Sequence, residues 1–164
     1  MQTSGCWKDD GVPANLIYAF KKLSLKKEKT FMYDAKELVR KAVEAKSKAY
    51  PKYSNFYVGA ALLTENGRIF QGANIENSSY GLTICAERTA IFHAVIEGER
   101  NFQAIAIAGD TDEFLPPCGA CRQVLAEFCD KDLDVILTNT KGEIKTLKLG
   151  ELLPYSFGEE FLKS

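Results

Sequence analysis

The run Gln103-Ala104-Ile105-Ala106-Ile107-Ala108 is short, continuously apolar from Ala104 onward and free of Gly and Pro. That is the pattern of a strand buried on both faces at the centre of a sheet. Downstream, Pro116-Pro117 announces a helix, with Pro117 near its first position and Val124, Leu125 and Phe128 for the core. Upstream, another helix should start near Cys85, run to about Glu97 and end at Gly98. A buried strand with a helix before and after it calls for a mixed sheet covered by helices.

Working further outward, Asp34-Ala35-Lys36-Glu37 has the form of a capping box. Leu38, Val39, Ala42 and Ala49 continue an apolar helix face until Pro51. Tyr57 to Thr64 and Arg68 to Ile75 are strands joined by the tight turn Glu65-Asn66-Gly67. Leu133 to Thr138 and Glu143 to Leu147 flank Asn139-Thr140-Lys141-Gly142 as a second hairpin, and a short helical tail follows from Leu149 to Lys163. The order is αββαβαββ, an α/β protein with a mixed sheet of about five strands and no repeat. Residues 1–32 differ from the rest. They hold an amphipathic piece around Leu16-Ile17-Tyr18-Ala19-Phe20 and a Lys-rich run from Lys21 to Lys29, and we expect a partly helical or disordered extension on a domain of residues 33–164.

Composition excludes several classes. The 164 residues suit one main domain, and 46% hydrophobic with 26% charged residues is ordinary for a globular protein. A formal charge of −1 is unlike that of a general polyanion binder, so no obligate nucleic-acid partner is expected. No stretch approaches the roughly 20 apolar residues of a membrane span, and the first residues lack the apolar run of a signal peptide. A cytoplasmic location with no membrane partner is the expectation. Five cysteines (Cys6, Cys85, Cys118, Cys121, Cys129) are an odd number, and in a reducing compartment clustered cysteines point to metal or catalysis.

The chemistry lies in Cys85-Ala86-Glu87 and Pro117-Cys118-Gly119-Ala120-Cys121. Cys118 and Cys121 are three apart, so the first turn of a helix can aim both sulfurs at one ion. All three cysteines fall at helix N-termini, where partial positive charge favours thiolates. Three sulfurs would hold one Zn²⁺ per subunit and leave a fourth position to water, the arrangement of a catalytic zinc. His93, the only histidine, lies eight residues beyond Cys85 on the same helix, about 12 Å along its axis, too far to share the ion. Cys129 meets the same objection and suits a small core hydrophobe, while Cys6 has no partner nearby in sequence. Glu87 can move protons between the water and a substrate without being a ligand. Arg88 and Arg122 each follow a ligand motif and could donate to the sulfurs, offsetting the negative charge of three thiolates on a divalent ion.

Thr83-Ile-Cys-Ala-Glu-Arg-Thr-Ala90 and Pro117-Cys-Gly-Ala-Cys-Arg-Gln123, with Asn74-Ile-Glu-Asn77 and Val58-Gly-Ala-Ala61, together resemble the cytidine deaminases. The likeness is to their small homotetrameric form, whose protein zinc ligands are all cysteines, and it covers residue 33 to the end. It implies a three-layer α/β/α fold. It also implies hydrolysis of cytidine and deoxycytidine to uridine and deoxyuridine, in pyrimidine salvage. It makes Glu87 the proton shuttle and Cys85, Cys118 and Cys121 the zinc ligands. Phe56 would stack on the base, Asn74 and Glu76 would bind the ribose hydroxyls, and main-chain groups of Ala86 and Cys118 would read the base edge. Tyr80 and Phe157 would complete the pocket of a neighbouring subunit. Without the resemblance, Phe56 would count as core, Asn74 and Glu76 as a solvated polar edge, and Tyr80 and Phe157 as packing. Tyr57 and Gly81 depart from the family's pattern, each standing where proline is common, which alters loop stiffness around the sugar. Rival functions are a same-fold deaminase of another cytosine compound, a polynucleotide deaminase that flips out its base, and a zinc-stabilised binding module with no need of Glu87.

Overall fold

Asp34 opens the first helix by accepting the Lys36 N–H on its carboxylate at 2.9 Å, and the chain then coils over Ala35–Lys46 (α1). The computed structural model describes residues 33–162 of the chain. The sequence-predicted extension of residues 1–32, including Leu16 to Phe20 and Cys6, lies outside the described residues. The elements that follow α1 are β1 (Val58–Thr64), β2 (Ile69–Ala73), α2 (Ala86–Ile96), β3 (Phe102–Gly109) and α3 (Gly119–Phe128). After them come β4 (Asp134–Thr138), β5 (Ile144–Lys148) and the single turn α4 (Leu149–Leu152). Two 3₁₀ turns, Tyr80–Leu82 and Glu159–Phe161, complete the fold.

The sheet order is β2-β1-β3-β4-β5, so the apolar run of β3 does lie in the middle. β3 and β4 are parallel, joined through α3, and the other pairs are antiparallel. Two glycines show that helices cover both faces. A Cβ at Gly59 would lie 2.1 Å from Ala42 O of α1, and one at Gly72 would lie 2.3 Å from Ala86 O and 2.4 Å from Ala90 N of α2. Gly72 pairs with Ala60, the neighbour of Gly59, and adjacent strand residues face opposite sides. Hence α1 and α2 rest on opposite faces, each against bare backbone, in a three-layer α/β/α arrangement. The α2 side packs Ala60, Leu62, Ile105, Ile107, Val135 and Leu137 against Ala90, Ile91 and Leu125. On the other side Leu38, Ala42 and Ala45 are buried, and α1 lies on β1 and β3.

Some local expectations shift. Glu37 does not close the capping box; its carboxylate is held by Arg40 at 2.6 and 2.7 Å, a stronger charge-assisted pairing. α1 ends at Lys46 rather than running on toward Pro51, with Ser47 donating its hydroxyl back to Glu44 O. Pro117 precedes the N-cap Cys118 instead of occupying the first turn. The tail is one turn of α-helix and one of 3₁₀, not a continuous helix.

The register sets the site. Val58 at the start of β1 pairs with Gly109 at the end of β3, and Gly59 pairs with Ala73 at the end of β2. An antiparallel bridge between Ile75 and Ile84 then carries Cys85 to this same end of the sheet.

Candidate metal centre

Cys85 is the N-cap of α2, Cys118 is the N-cap of α3, and Cys121 follows in the first turn of α3. The N-terminus of α2 is pinned to the sheet by the Thr89 hydroxyl, which donates to Ala73 O at 3.1 Å. The Cys85 and Cys118 sulfurs are 3.9 Å apart, those of Cys118 and Cys121 are 3.5 Å apart, and all three lie within 4.8 Å of one another. Zn–S bonds of about 2.3 Å at tetrahedral angles place sulfurs about 3.8 Å apart, so the donor set and its spacing fit zinc. Cys129 is partly buried against the core, where burial first and then Asp130 push its thiol up to about 12. His93, exposed on α2, sets its ring edge-on to Phe70 at 5.2 Å. Neither belongs to the cluster.

The charge on the sulfurs is uneven. The Cys85 thiol is brought down to about 5, chiefly because the Cys121 thiol donates to it, with Arg88 adding to the effect against the cost of burial. Cys121 is pushed up as the donor of that pair and by its own burial. Arg88 Nη2 stands 3.4 Å from Cys85 Sγ and 3.3 Å from Thr83 O. Its Nε is buried without a partner. Arg122 is aimed elsewhere: it donates from Nε to Pro117 O at 2.8 Å and from Nη1 to Leu152 O at 2.9 Å. The two arginines looked alike in sequence. In the fold only Arg88 approaches a sulfur, while Arg122 ties the Cys118 loop to the tail, because a side chain four residues past the N-cap of α3 meets the chain on either side rather than the sulfurs.

Glu87, two residues after Cys85, is only 5% exposed. Burial lifts its carboxyl above the usual carboxylate range and the negative charge of Cys85 adds to this, while its own backbone N–H and the Cys121 thiol pull it down. A buried carboxyl beside the Cys85 and Cys121 sulfurs, shifted upward in this way, is placed to take up and release protons.

Of the remaining predicted residues, Phe56, Asn74, Glu76, Ala86 and Tyr80 lie around this end of the sheet, while Phe157 packs on the tail beside Lys131 and Phe161. A side chain at Gly109 would meet Phe56 Cζ at 3.4 Å, which puts the Phe56 ring beside the end of β3. Asn74, 9% exposed, accepts the Val58 N–H on Oδ1 and donates from Nδ2 to Phe56 O, both at 2.9 Å. Glu76 Oε2 accepts the N–H groups of Tyr53 at 2.6 Å and Ser54 at 3.1 Å. Both side chains thus hold the segment that carries Phe56. Ala86 is fully buried at the start of α2. Tyr80 (73% exposed) touches Tyr53 edge-on at 5.7 Å, and Phe157 (58% exposed) stacks on Phe161 at 5.6 Å. Sequence reasoning missed Ser54, whose hydroxyl accepts the Phe56 N–H at 3.0 Å, and Asn55, whose φ of 57° makes the turn before Phe56. An Asn in a polar stretch before a strand was the available signal, since Asn tolerates that left-handed conformation.

Residues 32–137 match the family model described as the cytidine and deoxycytidylate deaminase zinc-binding region. The cytidine deaminase of Sporosarcina psychrophila is 51% identical over 79% of this chain and 95% of its own length. That of Halalkalibacterium halodurans is 53% identical over 77% and 96%. The crystal structure of a cytidine deaminase from Burkholderia pseudomallei superposes with a TM-score of 0.75 at 49% identity, covering 76% of this chain and 100% of that one. With the thiol triad and buried glutamate inside the matched region, the chain belongs to the cytidine deaminase family.

Proposed function

We propose that the chain hydrolyses cytidine and deoxycytidine to uridine and deoxyuridine, releasing ammonia. One observation carries the reading: three sulfurs at zinc spacing stand beside a carboxyl that is buried and yet not a ligand. Zinc held by Cys85, Cys118 and Cys121 would supply the Lewis acidity that makes water a nucleophile at neutral pH. Hydrolysis takes both protons from that water. One ends on the ring nitrogen of uridine and the other on the departing ammonia. Glu87 is the group that moves them, accepting on a carboxylate oxygen and then donating as the carboxylic acid. Its raised pKa suits both halves of this task. Arg88 draws charge from Cys85, so that three thiolates do not quench the metal. Phe56 supplies the face for the pyrimidine, Asn74 and Glu76 border the sugar, and main-chain groups of Ala86 and Cys118 read the base edge.

We further propose a homotetramer in which neighbouring subunits share sites, acting in pyrimidine salvage in the cytoplasm. The exposed rings of Tyr80 and Phe157 support a shared pocket, because water must be excluded from the reacting carbon. Phe157→Ala should then weaken both association and substrate binding, although Phe157 is mostly uncovered within one chain. Sedimentation at a series of dilutions with parallel assays tests it, and a fully active monomer would end the shared-site reading. The chemistry is tested by following loss of the ultraviolet absorbance of cytidine, and release of ammonia, with purified zinc-loaded protein. A zinc-replete protein that turns over no cytidine would instead leave a zinc-stabilised binding module.

A further inference from the structure

Between α1 and β1, the chain must bring Phe56 to the end of β3 without any ladder partner of its own, since β1 begins only at Val58. Side chains supply the partners. The Phe56 N–H donates to Ser54 Oγ at 3.0 Å, and the Phe56 carbonyl accepts from Asn74 Nδ2 at 2.9 Å. Asn74 also accepts the Val58 N–H, so one buried amide brackets the residue that follows Phe56. Ser54 in turn is anchored through its own N–H to Glu76 Oε2 at 3.1 Å. Asn55, at φ 57°, closes the turn between the two anchors.

We propose that Ser54 is a positioning residue for the Phe56 ring, its hydroxyl and main-chain N–H joining the Phe56 backbone to the Glu76 carboxylate in one clamp. Both main-chain polar groups of Phe56 are then held by side chains, Ser54 from the same connecting segment on one side and Asn74 from just past β2 on the other. With both groups fixed, the ring has a set position against Gly109. Glu76 keeps one carboxylate oxygen uncommitted by the Tyr53 and Ser54 N–H groups, so the same clamp also orients an acceptor for a sugar hydroxyl. The Ser54 hydroxyl further helps hold the Glu76 carboxyl below the usual carboxylate range, with the Tyr53 N–H.

The inference rests on the deaminase reading for the role of Phe56, and its test separates the two. A stacking face acts on the base in ground state and transition state alike, so loosening it should raise KM and leave kcat nearly unchanged. Ser54→Ala in the zinc-loaded, full-length enzyme should raise KM for cytidine about 3–10-fold, the range for one hydrogen bond. Ser54→Thr, which keeps the hydroxyl, should restore KM. Combining Ser54→Ala with Glu76→Gln should raise KM by less than the product of the single effects, since both act on one clamp. An unchanged KM in Ser54→Ala would overturn the proposal, and so would a drop in kcat at constant KM, the mark of a merely smaller folded fraction. Failure of the deaminase reading would show separately, as no cytidine turnover in the unsubstituted enzyme. The clamp is then decided by hydrogen exchange at the Phe56 amide. Ser54→Ala should accelerate it and Ser54→Thr should restore it, whereas equal rates in all three proteins would refute the clamp.

Discussion

Replacing Gly72 by Ala should cost this protein its metal geometry before it costs it the fold. The new Cβ would meet Ala86 O at 2.3 Å and Ala90 N at 2.4 Å, about 1 Å short of ordinary contact, and both are main-chain atoms that no rotamer can move. The first turn of α2 must therefore lift from β2 by roughly that distance. Overpacking of this kind costs about 1–3 kcal/mol, so the domain should still fold while its thermal midpoint falls. The same turn carries Cys85 at its N-cap and Glu87 in its first turn. Zinc sites tolerate bond-length changes of only about 0.2 Å, and a 1 Å misplacement of a reacting group can cost about 100-fold in rate. We expect a folded protein with reduced zinc content and about 100-fold lower kcat/KM, measured by colorimetric zinc release, circular dichroism and cytidine turnover. Gly59→Ala is the matched control. Its Cβ would meet Ala42 O at 2.1 Å and Lys46 N at 2.6 Å, a clash of similar depth against α1, which carries no site residue. Gly59→Ala should lose comparable stability and keep its zinc. Equal losses of zinc and turnover in the two variants would refute the reasoning, because the site would then be responding to general loosening rather than to the seat of α2.

Glu87→Gln should bind zinc normally and lose about 10²–10⁴-fold in kcat, since the thiols are untouched and the proton carrier is gone; metal analysis with steady-state kinetics checks it. A chain lacking residues 1–32 should turn over cytidine like the full protein, because every proposed site residue lies beyond them, and loss of zinc and activity in a soluble truncation would tie the extension to the site. In metal-stripped protein the Cys85 thiol, lowered from 9.0 to about 5, contributes stability in full above the ordinary thiol range and loses it as pH falls toward about 5. Denaturant titrations of the stripped protein across that window should show this decline, and Arg88→Gln should shrink it.

The strands, the hairpins and the pairing of Cys118 with Cys121 were legible because each is a local pattern, whereas Cys85 joined them through its Cys-x-Glu motif and the family resemblance. Ala104 to Ala108 has no polar residue to place on a solvent face, and Cys118 with Cys121 needs only one helical turn to converge. What sequence could not give were the meetings between distant residues. Arg88 and Arg122 each follow a ligand motif, and only the fold shows that one reaches the Cys85 sulfur while the other is taken by the Pro117 and Leu152 carbonyls. Asn74 and Glu76 were readable as polar residues two apart. That their side chains grip residues 53–58 depends on the run from Pro51 to Val58 lying beside residues 74–76, just past β2, which no periodicity encodes. Gly59 and Gly72 likewise show their meaning only once a helix is laid on each.

Cys85 and Cys118 lie 33 residues apart, and the segment between them contains the central strand of the sheet. On an unfolded chain, gathering these sulfurs requires closing that loop, an entropic cost of about 3–4 kcal/mol by cross-link estimates. Folding has already closed it, through the pairing of β1 with β3 and the seating of α2 on β2. The native chain should therefore hold zinc some two to three orders of magnitude more tightly than the same cysteines in the denatured chain, and by linkage the ion favours the folded state. Metal retention thereby becomes a gauge of whether β3 is in its place: a partly opened molecule that lets the central strand slip should surrender its zinc.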